Sequence, residues 1–393
     1  YMYLLYVFAV FLIIYFIIYP YIKITFKFWA YQPVFHIYNL YYWFSSPHII
    51  KKELPDKNKF TDFDNVKALE YKHCTKKKLE DFHHLVKNYF FKFNKLNYDL
   101  HMHNIKPYFI GHNDKSFLTF CYDKTKCVEN QKVVIKKECI GVISGRPLYC
   151  IVDNRKIMAY YVDHLCVHPD FRKTGVAPRL IQTHEYAQRH RNKKIAISIF
   201  KRDTDLTGII PITVYMNYVF DILKWKKPSD KQGPYNFVEV NKLNLYTLFN
   251  KFDNVMREHF SFILFPELSN LSELLSTKNI HVYLYRFKEQ IIGIYFFRNS
   301  AITYEKFNMF ELFASIKLTN NTNKFIEGFH KSMFHCFTKN HYKYLIIENI
   351  SHSNCILHEI MKEHEPIFTN PSAFYFYNFV HKPYDSKDVL AIY

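Results

Sequence analysis

The sequence predicts a mixed α/β fold, an α+β arrangement around a mixed sheet, made of two tandem halves. Three observations predict it. Segments with apolar residues at helical spacing alternate with runs that read as strands. The order helix, strand pair, strand, helix, strand occurs before the Gly- and Pro-containing stretch Asp230 to Tyr235 and recurs after it, which reads as an internal duplication. Finally, "VDHLCVHPDFRKTGVAPRLIQ", Val162 to Gln182, passes from an apolar strand through a basic, glycine-containing turn into a helical pattern. The 393 residues leave room for about two or three domains of roughly 150 residues each. The expected divisions are 1–22, 23–228 and 229–393.

The first division is "YMYLLYVFAVFLIIYFIIYPYI", Tyr1 to Ile22, which carries no charge. About 20 apolar residues suffice for a helix to cross a bilayer. No basic segment precedes the run and no small-residue cleavage site follows it, so it reads as a transmembrane helix rather than a removable signal. Lys23 and Lys27 follow, which predicts a single-pass protein with its catalytic domain facing the cytosol. The competing reading is a helix buried in the core.

In the first half, Lys51 to Lys78 reads as a polar loop and helix start. Lys77 to Phe93 then places Leu79, Phe82, Leu85, Val86, Tyr89 and Phe90 at helical spacing. "SFLTFCYD", "KVVIKKECIGVISGRP" and "KIMAYYVDHLCVH" read as strands. A helix is expected from Val176 to His190, then a strand in "KKIAISIF". In the second half, "LYTLFNKFDNVMREHFSFILFPE" reads as helix, and "HVYLYRFKEQIIGIYFFRNS" as a hairpin turning at Lys288 to Gln290. "TNKFIEGFHKSMFHCFTKNHYKYLIIENI" reads as helix then strand, and "FYFYNFVHKPYDSKDVLAIY" follows.

Composition narrows the function only a little. With 8 Gly and 15 Pro the chain is neither fibrous nor low-complexity. The formal charge of +18 suits anionic partners of several kinds: nucleic acid, lipid headgroups or phosphorylated cofactors. The 33 Tyr and 39 Phe share AT-rich codons with Lys, Asn and Ile, so they are no argument for base stacking. The eight cysteines form no CxxC pair and read as free thiols. His352, Cys355 and His358 sit at helical spacing but do not form HExxH, and no metal site is expected.

The turn itself is a phosphate site in physical terms. The first amides of a helix are unpaired and its dipole favours an anion. Gly175 lets backbone approach closely, Arg172 and Lys173 add charge, and Thr174 adds a hydroxyl. The spacing Arg172, Gly175, Ala177 resembles the pyrophosphate loop of the GNAT acyl-CoA-binding superfamily. The longer stretch is similar to the N-myristoyltransferase family, through Leu165, Cys166, Val167, His168, Val176, Ala177, Pro178, Leu180 and Ile181. "CIGVISGRP" resembles that family's G-F-I-S-x-x-P strand. "FKFWAYQPV" resembles its F-W-x-T-Q-P-V segment, with Tyr31 in place of Thr. "YFYN", Tyr375 to Asn378, resembles its Y-x-Y-N-W stretch, with Phe379 in place of Trp.

The resemblance spans Phe26 to Tyr393 and implies two GNAT-like halves. It implies transfer of a myristoyl group from acyl-CoA to the N-terminal glycine of proteins. Phe28 and Trp29 would line the CoA and acyl site, with Leu165 to Val167 and Arg172 to Pro178 (Arg172, Lys173, Thr174, Gly175, Val176, Ala177, Pro178) beside them. The amides of His164 and Leu165 would hold the oxyanion, a contribution of about 3–4 kcal/mol to the barrier. The α-carboxylate of Tyr393 would take the proton from the glycine ammonium. Tyr89, Tyr218, Thr369 and Tyr375 would contact the peptide. Myristoyl-CoA is then a co-substrate, with no permanently bound cofactor, no metal and no nucleic acid, and the protein would be a monomer that touches the membrane through its N-terminal helix and basic surface.

The chain also departs from the family. The family's acid-rich loop reads "YFFKFNKLNYD" here, its R-Y-W-H segment reads "NYVF", and an acidic position before Y-x-Y-N is Thr369. These changes predict a preference away from Lys-rich peptides, and they keep two alternatives open: an inactive relative that binds acyl-CoA or acylated peptides, and a basic nucleic-acid-binding protein. On Cys166, a covalent acyl intermediate competes with a core-facing thiol on an alternating strand.

Overall fold

The apolar N-terminal run forms a helix, Met2–Thr25 (α1), in the computed structural model of the protein, which describes residues 2–93, 96–129, 132–203, 208–228, 234–340 and 342–393. Its last turns pack on the body of the protein. The Tyr19 ring meets Tyr38 edge-on at 5.0 Å, and Ile22 is buried where a side chain on Gly208 would otherwise lie. Pro20 lies inside the helix and Lys23 in its last turn. Among the described residues no helix is long and apolar enough to cross a membrane. The transmembrane helix expected over 1–22, and the single-pass, cytosol-facing placement that rested on it, are corrected: part of the run covers the protein's own surface.

The next helix, Lys76–Tyr89 (α2), starts on Thr75, whose hydroxyl accepts from the Lys78 amide. It buries Phe82, Leu85 and Val86, one stripe of the predicted face. Around it the first half lays down Val66–Glu70 (β1), Phe117–Glu129 (β2), Lys132–Val152 (β3) and Arg155–Val167 (β4). The helix Val176–Arg191 (α3) crosses from β4 to Ile197–Arg202 (β5), and Thr213–Asp221 (β6) follows. Arg189, His190 and Arg191 close α3 with positive charge at its C-terminal end, where the dipole favours it.

The rest of the chain continues the mixed sheet. Tyr235–Glu239 (β7), Leu245–His259 (α4) and Phe262–Phe265 (β8) lead into the hairpin Ile280–Phe287 (β9) and Gln290–Tyr304 (β10), then Phe307–Lys317 (β11). Thr322–Asn340 (α5) crosses to Tyr344–Glu348 (β12). Ser353–Ile360 (α6), Phe368–Tyr377 (β13) and Val389–Ala391 (β14) complete the chain order. Phe262 to Phe265, expected as helix, is strand: all four residues are buried, and the segment runs between β3 and β14. A short apolar run carries no period of its own, and pairing on both edges decides it.

The strands join in one mixed sheet in the order β7-β9-β10-β11-β12-β6-β13-β5-β4-β3-β8-β14, with β2 on β3 and β1 on β2. The two helical crossovers are its equivalent points: β4 and β5 are parallel around α3, and β11 and β12 are parallel around α5. The two parts of the chain also exchange strands. β6 lies between β12 and β13, and β13 lies between β6 and β5. The boundary expected at 228/229 abuts residues 229–233, which lie outside the described residues.

Candidate active site

β4 is broken ahead of the first crossover. The β3–β4 register shifts between Val142 and Ser144, and His164 takes φ 53° there. The Asp163 carboxylate accepts a hydrogen bond from the His164 amide at 2.7 Å. Ser144 Oγ lies 3.0 Å from the Asp163 carbonyl, to which it donates, and 3.0 Å from His164 Nδ1. A hydroxyl has one proton, so the network assigns the imidazole proton to Nδ1. Burial lowers the His164 pKa, against the neighbouring Asp163, which raises it. Burial would push Asp163 up, but His164 and Arg146 hold it below the usual carboxylate range.

Beyond the break comes the basic turn. Gly175 sits at φ 84° as the N-cap of α3, with no atom within 4 Å of where a Cβ would stand. Lys173 is also left-handed, at φ 64°. The Thr174 hydroxyl donates to the Phe171 carbonyl at 2.7 Å. The Arg172 guanidinium turns back, donating to the carbonyls of Val167 (3.1 Å) and Tyr89 (2.9 Å). It therefore braces the turn against α2.

Two cavities meet at the break. The first, about 470 Å³, is bounded by Phe28, Trp29, Ile143, Leu165, Ala177, Pro178, Ile181, Phe200 and Tyr377, with Glu185 and Ser198 among its polar residues. The second, about 230 Å³, is bounded by Tyr98, Tyr108, Arg146, Asn217, Arg298, Glu311, Asn370 and Tyr393. Phe90, Asp163, His164 and Lys201 border both. The first cavity is chiefly apolar, the second sets charged and polar groups beside apolar walls that include Leu96, Val219, Ile302 and Met309, and the strand break is their common wall.

An ionic cluster floors the second cavity. Lys201 Nζ donates to Glu348 (2.8 Å) and to the Tyr393 phenol (3.0 Å). Arg298 donates from Nε to Glu311 and from Nη2 to Glu348 (3.1 Å) and the Tyr393 phenol (2.7 Å). Burial lowers the Lys201 pKa, but Asp203 and Glu348 outweigh it and keep the ammonium charged. Burial and neighbouring Glu311 raise Glu348, while Arg298 and Lys201 hold Glu311 down against its burial. The Tyr393 ring packs on Tyr161 (5.0 Å) and Phe374 (5.3 Å), at the end of a tail that β14 pins parallel to β8.

The structure thus brings together Phe28, Trp29, His164, Leu165, Ala177 and Pro178 around one cavity and Tyr393 in the other. Cys166 and Val167 are buried, and the Cys166 thiol donates to the Leu85 carbonyl at 3.3 Å. Burial pushes that thiol up to about 12. Val176 is buried under the turn. The four residues expected on the peptide line neither cavity. Tyr89 packs on His168 at 4.6 Å, and Tyr375 is buried against Phe200 at 5.2 Å. Tyr218 and Thr369 are strand partners whose neighbours, Asn217, Val219, Phe368 and Asn370, face the cavity instead. Sequence reasoning missed Arg146, Lys201, Arg298, Glu311 and Glu348; the available signal was a single charge set among strand-forming apolar residues. Among the described residues no three His, Cys, Asp or Glu side chains are grouped to hold a metal.

A strand break and helix N-terminus beside a long apolar cavity form the framework of an acyltransferase. Residues 60–214 match the family described as "Myristoyl-CoA:protein N-myristoyltransferase, N-terminal domain". Saccharomyces cerevisiae N-myristoyltransferase with bound myristoyl-CoA has the same fold. One of its structures superposes with a TM-score of 0.69 at 14% identity, over 92% of this chain and 94% of that one. A second gives 0.70 at 14% identity, over 92% and 89%. A GCN5-related N-acetyltransferase from Kribbella flavida overlaps 79% of this chain and 70% of its own, at 12% identity and a TM-score of 0.47. No curated protein sequence matches the chain.

Proposed function

We propose that the protein transfers a myristoyl or similar long-chain acyl group from acyl-CoA to the N-terminal glycine amine of protein substrates, by direct attack on the thioester. The observation that carries this reading is the meeting of an apolar and a polar cavity at Asp163, His164 and Lys201. The acyl chain takes the apolar cavity beside Phe28, Trp29 and Phe200. The pyrophosphate takes the exposed turn from Arg172 to Gly175, whose backbone amides and Lys173 face outward once Arg172 is engaged. The glycine enters the polar cavity.

In this reading the amine attacks the carbonyl carbon and forms the C–N bond. The carbonyl oxygen takes up negative charge, the C–S bond breaks, and CoA leaves as thiolate. The His164 amide is engaged by Asp163, so the Leu165 amide is the first oxyanion donor, and a turn of the Asp163 side chain would free the second. The ammonium loses two protons on its way to the amide: the first, before attack, goes to the α-carboxylate of Tyr393, whose side chain the Lys201–Arg298–Glu348 cluster holds in the cavity, and the second, after the C–N bond has formed, goes to the departing CoA thiolate. The two tandem halves are one functional unit, because each supplies walls to both substrates.

The test is acyl transfer by the protein with myristoyl-CoA and glycine-terminal peptides, following CoA release and peptide mass. A variant with residues added after Tyr393 should bind acyl-CoA normally and lose about 10²–10⁴-fold in kcat, the range of a lost general base. Retention of acyl-CoA without turnover on any peptide would favour the inactive relative.

A further inference from the structure

One charged group in the polar cavity acts on Asp163 only through space and has no hydrogen-bonding partner among the described residues. Arg146 lies in β3, with 2% of its surface exposed, and borders the second cavity but not the first. Its guanidinium lies 4.9 Å from the centre of the Tyr108 ring and 4.8 Å from that of the Tyr161 ring. Among the described residues it makes no hydrogen bond and no ion pair through its side chain. Lys201 and Arg298, in the same cavity, are each engaged by carboxylates. Asp163 gives one oxygen to the His164 amide and sets the other 3.8 Å from the His164 ring.

Such an arrangement is costly unless something completes it. A guanidinium carries five N–H donors in a planar fork. Burying a charge is unfavourable unless it is paired, and two aromatic faces offset only part of that. The two rings take up part of the surroundings of the guanidinium without using its donors, and the cavity that Arg146 borders is where those donors can be met. The fork suits a planar carboxylate, which can accept two parallel hydrogen bonds. Because Arg146 borders the polar cavity alone, the carboxylate arrives with the peptide and not with CoA.

Resting on the acyl-transfer reading above, we propose that Arg146 is a specificity-determining residue that receives an Asp or Glu side chain near the N-terminus of the glycine peptide, so that the substrates form an acidic class. Opposite signs in a desolvated pocket favour the acidic peptide, and a lysine there would face an unscreened guanidinium.

The test scans one Asp through the first positions after glycine in an otherwise neutral labelled peptide, with Asn at the same positions as control. Binding is read by anisotropy on the full chain, loaded with a non-transferable thioether analogue of myristoyl-CoA. At one position Asp should bind about thirtyfold or more tighter than Asn, the scale of a buried charge pair. Arg146→Gln should bring that ratio close to one, because the Asp peptide loses its charged partner and the Asn peptide has none to lose. Arg146→Lys, which keeps the charge without the fork, should retain part of the ratio and serves if the glutamine variant does not fold. A ratio near one at every position in the native protein, or an unchanged ratio in the glutamine variant, overturns the proposal. Binding needs no turnover. A protein that discriminates Asp from Asn yet releases no CoA with active thioester would therefore refute the transferase reading and leave Arg146 as the acidic-peptide receptor.

Discussion

Arg298 donates a hydrogen bond to the phenol oxygen of Tyr393 at 2.7 Å, across 95 positions of sequence. The same phenol accepts from Lys201 and reaches Glu348 at 3.2 Å. A tail of three sheet residues and a buried ring is thus fastened at its tip by charge. Tyr393→Phe removes the oxygen and leaves Lys201 and Arg298 each short of one acceptor. Unfolding in denaturant should show a loss of about 1–3 kcal/mol, the cost of unsatisfied buried donors. An unchanged midpoint would mean that the cluster closes up without the phenol.

Glu185 borders the apolar cavity, and burial raises its carboxyl to about 7 although Arg189 opposes this. The fold therefore holds a proton that the unfolded chain releases near 4.5. The unfolded state binds fewer protons between these values, so this residue's contribution to stability falls as pH rises through that window. Glu185→Gln should flatten the stability–pH curve there and raise stability above it, by on the order of 1–3 kcal/mol. Equal slopes in both proteins would remove Glu185 from the titration.

Gly175 offers a cleaner separation of backbone from packing. A Cβ there meets nothing within 4 Å, yet φ is 84°. Gly175→Ala should cost about 1–2 kcal/mol through conformation alone, with Gly175→Asn intermediate. If the turn holds pyrophosphate, acyl-CoA affinity measured by calorimetry should fall in both variants in the same order.

Cys166 stands in the motif beside the strand break, but its thiol is buried and its pKa is pushed up to about 12. Native protein should resist alkylation at this position, and Cys166→Ala should retain transfer activity, apart from a packing loss visible in its unfolding midpoint. Abolished turnover with normal acyl-CoA binding would revive a covalent intermediate.

Local patterns were legible where one window of sequence held the whole signal. The turn from Arg172 to Pro178, the start of α3 and the hairpin at Lys288 all follow from spacing and glycine or polar turn residues. The mixed α/β class was legible too, although the placing of β6 between β12 and β13 was not, since nothing in either strand names its neighbour. Arg146, Lys201, Arg298, Glu311 and Glu348 stand on separate strands, and only the sheet order makes them a cluster. Tyr218 and Thr369 fell one residue out of step: side chains alternate across a strand, so a shift of one position exchanges the cavity face for the opposite one. The N-terminal run was read by composition alone, which cannot register that Ile22 already has a place against Gly208.

The strand exchange sets a condition on biosynthesis. When residue 228 has left the ribosome, β6 has been made but neither of its neighbours, β12 and β13, exists. The nascent first half therefore waits with an unclosed hydrogen-bonding edge on a buried, apolar strand, the kind of edge that recruits other chains. Closure comes only with Phe368–Tyr377, which pairs with β5 and β6 together. A premature stop between these points would remove a strand from the middle of the sheet and not from its rim, so truncated products should be insoluble fragments, with neither half surviving as a module.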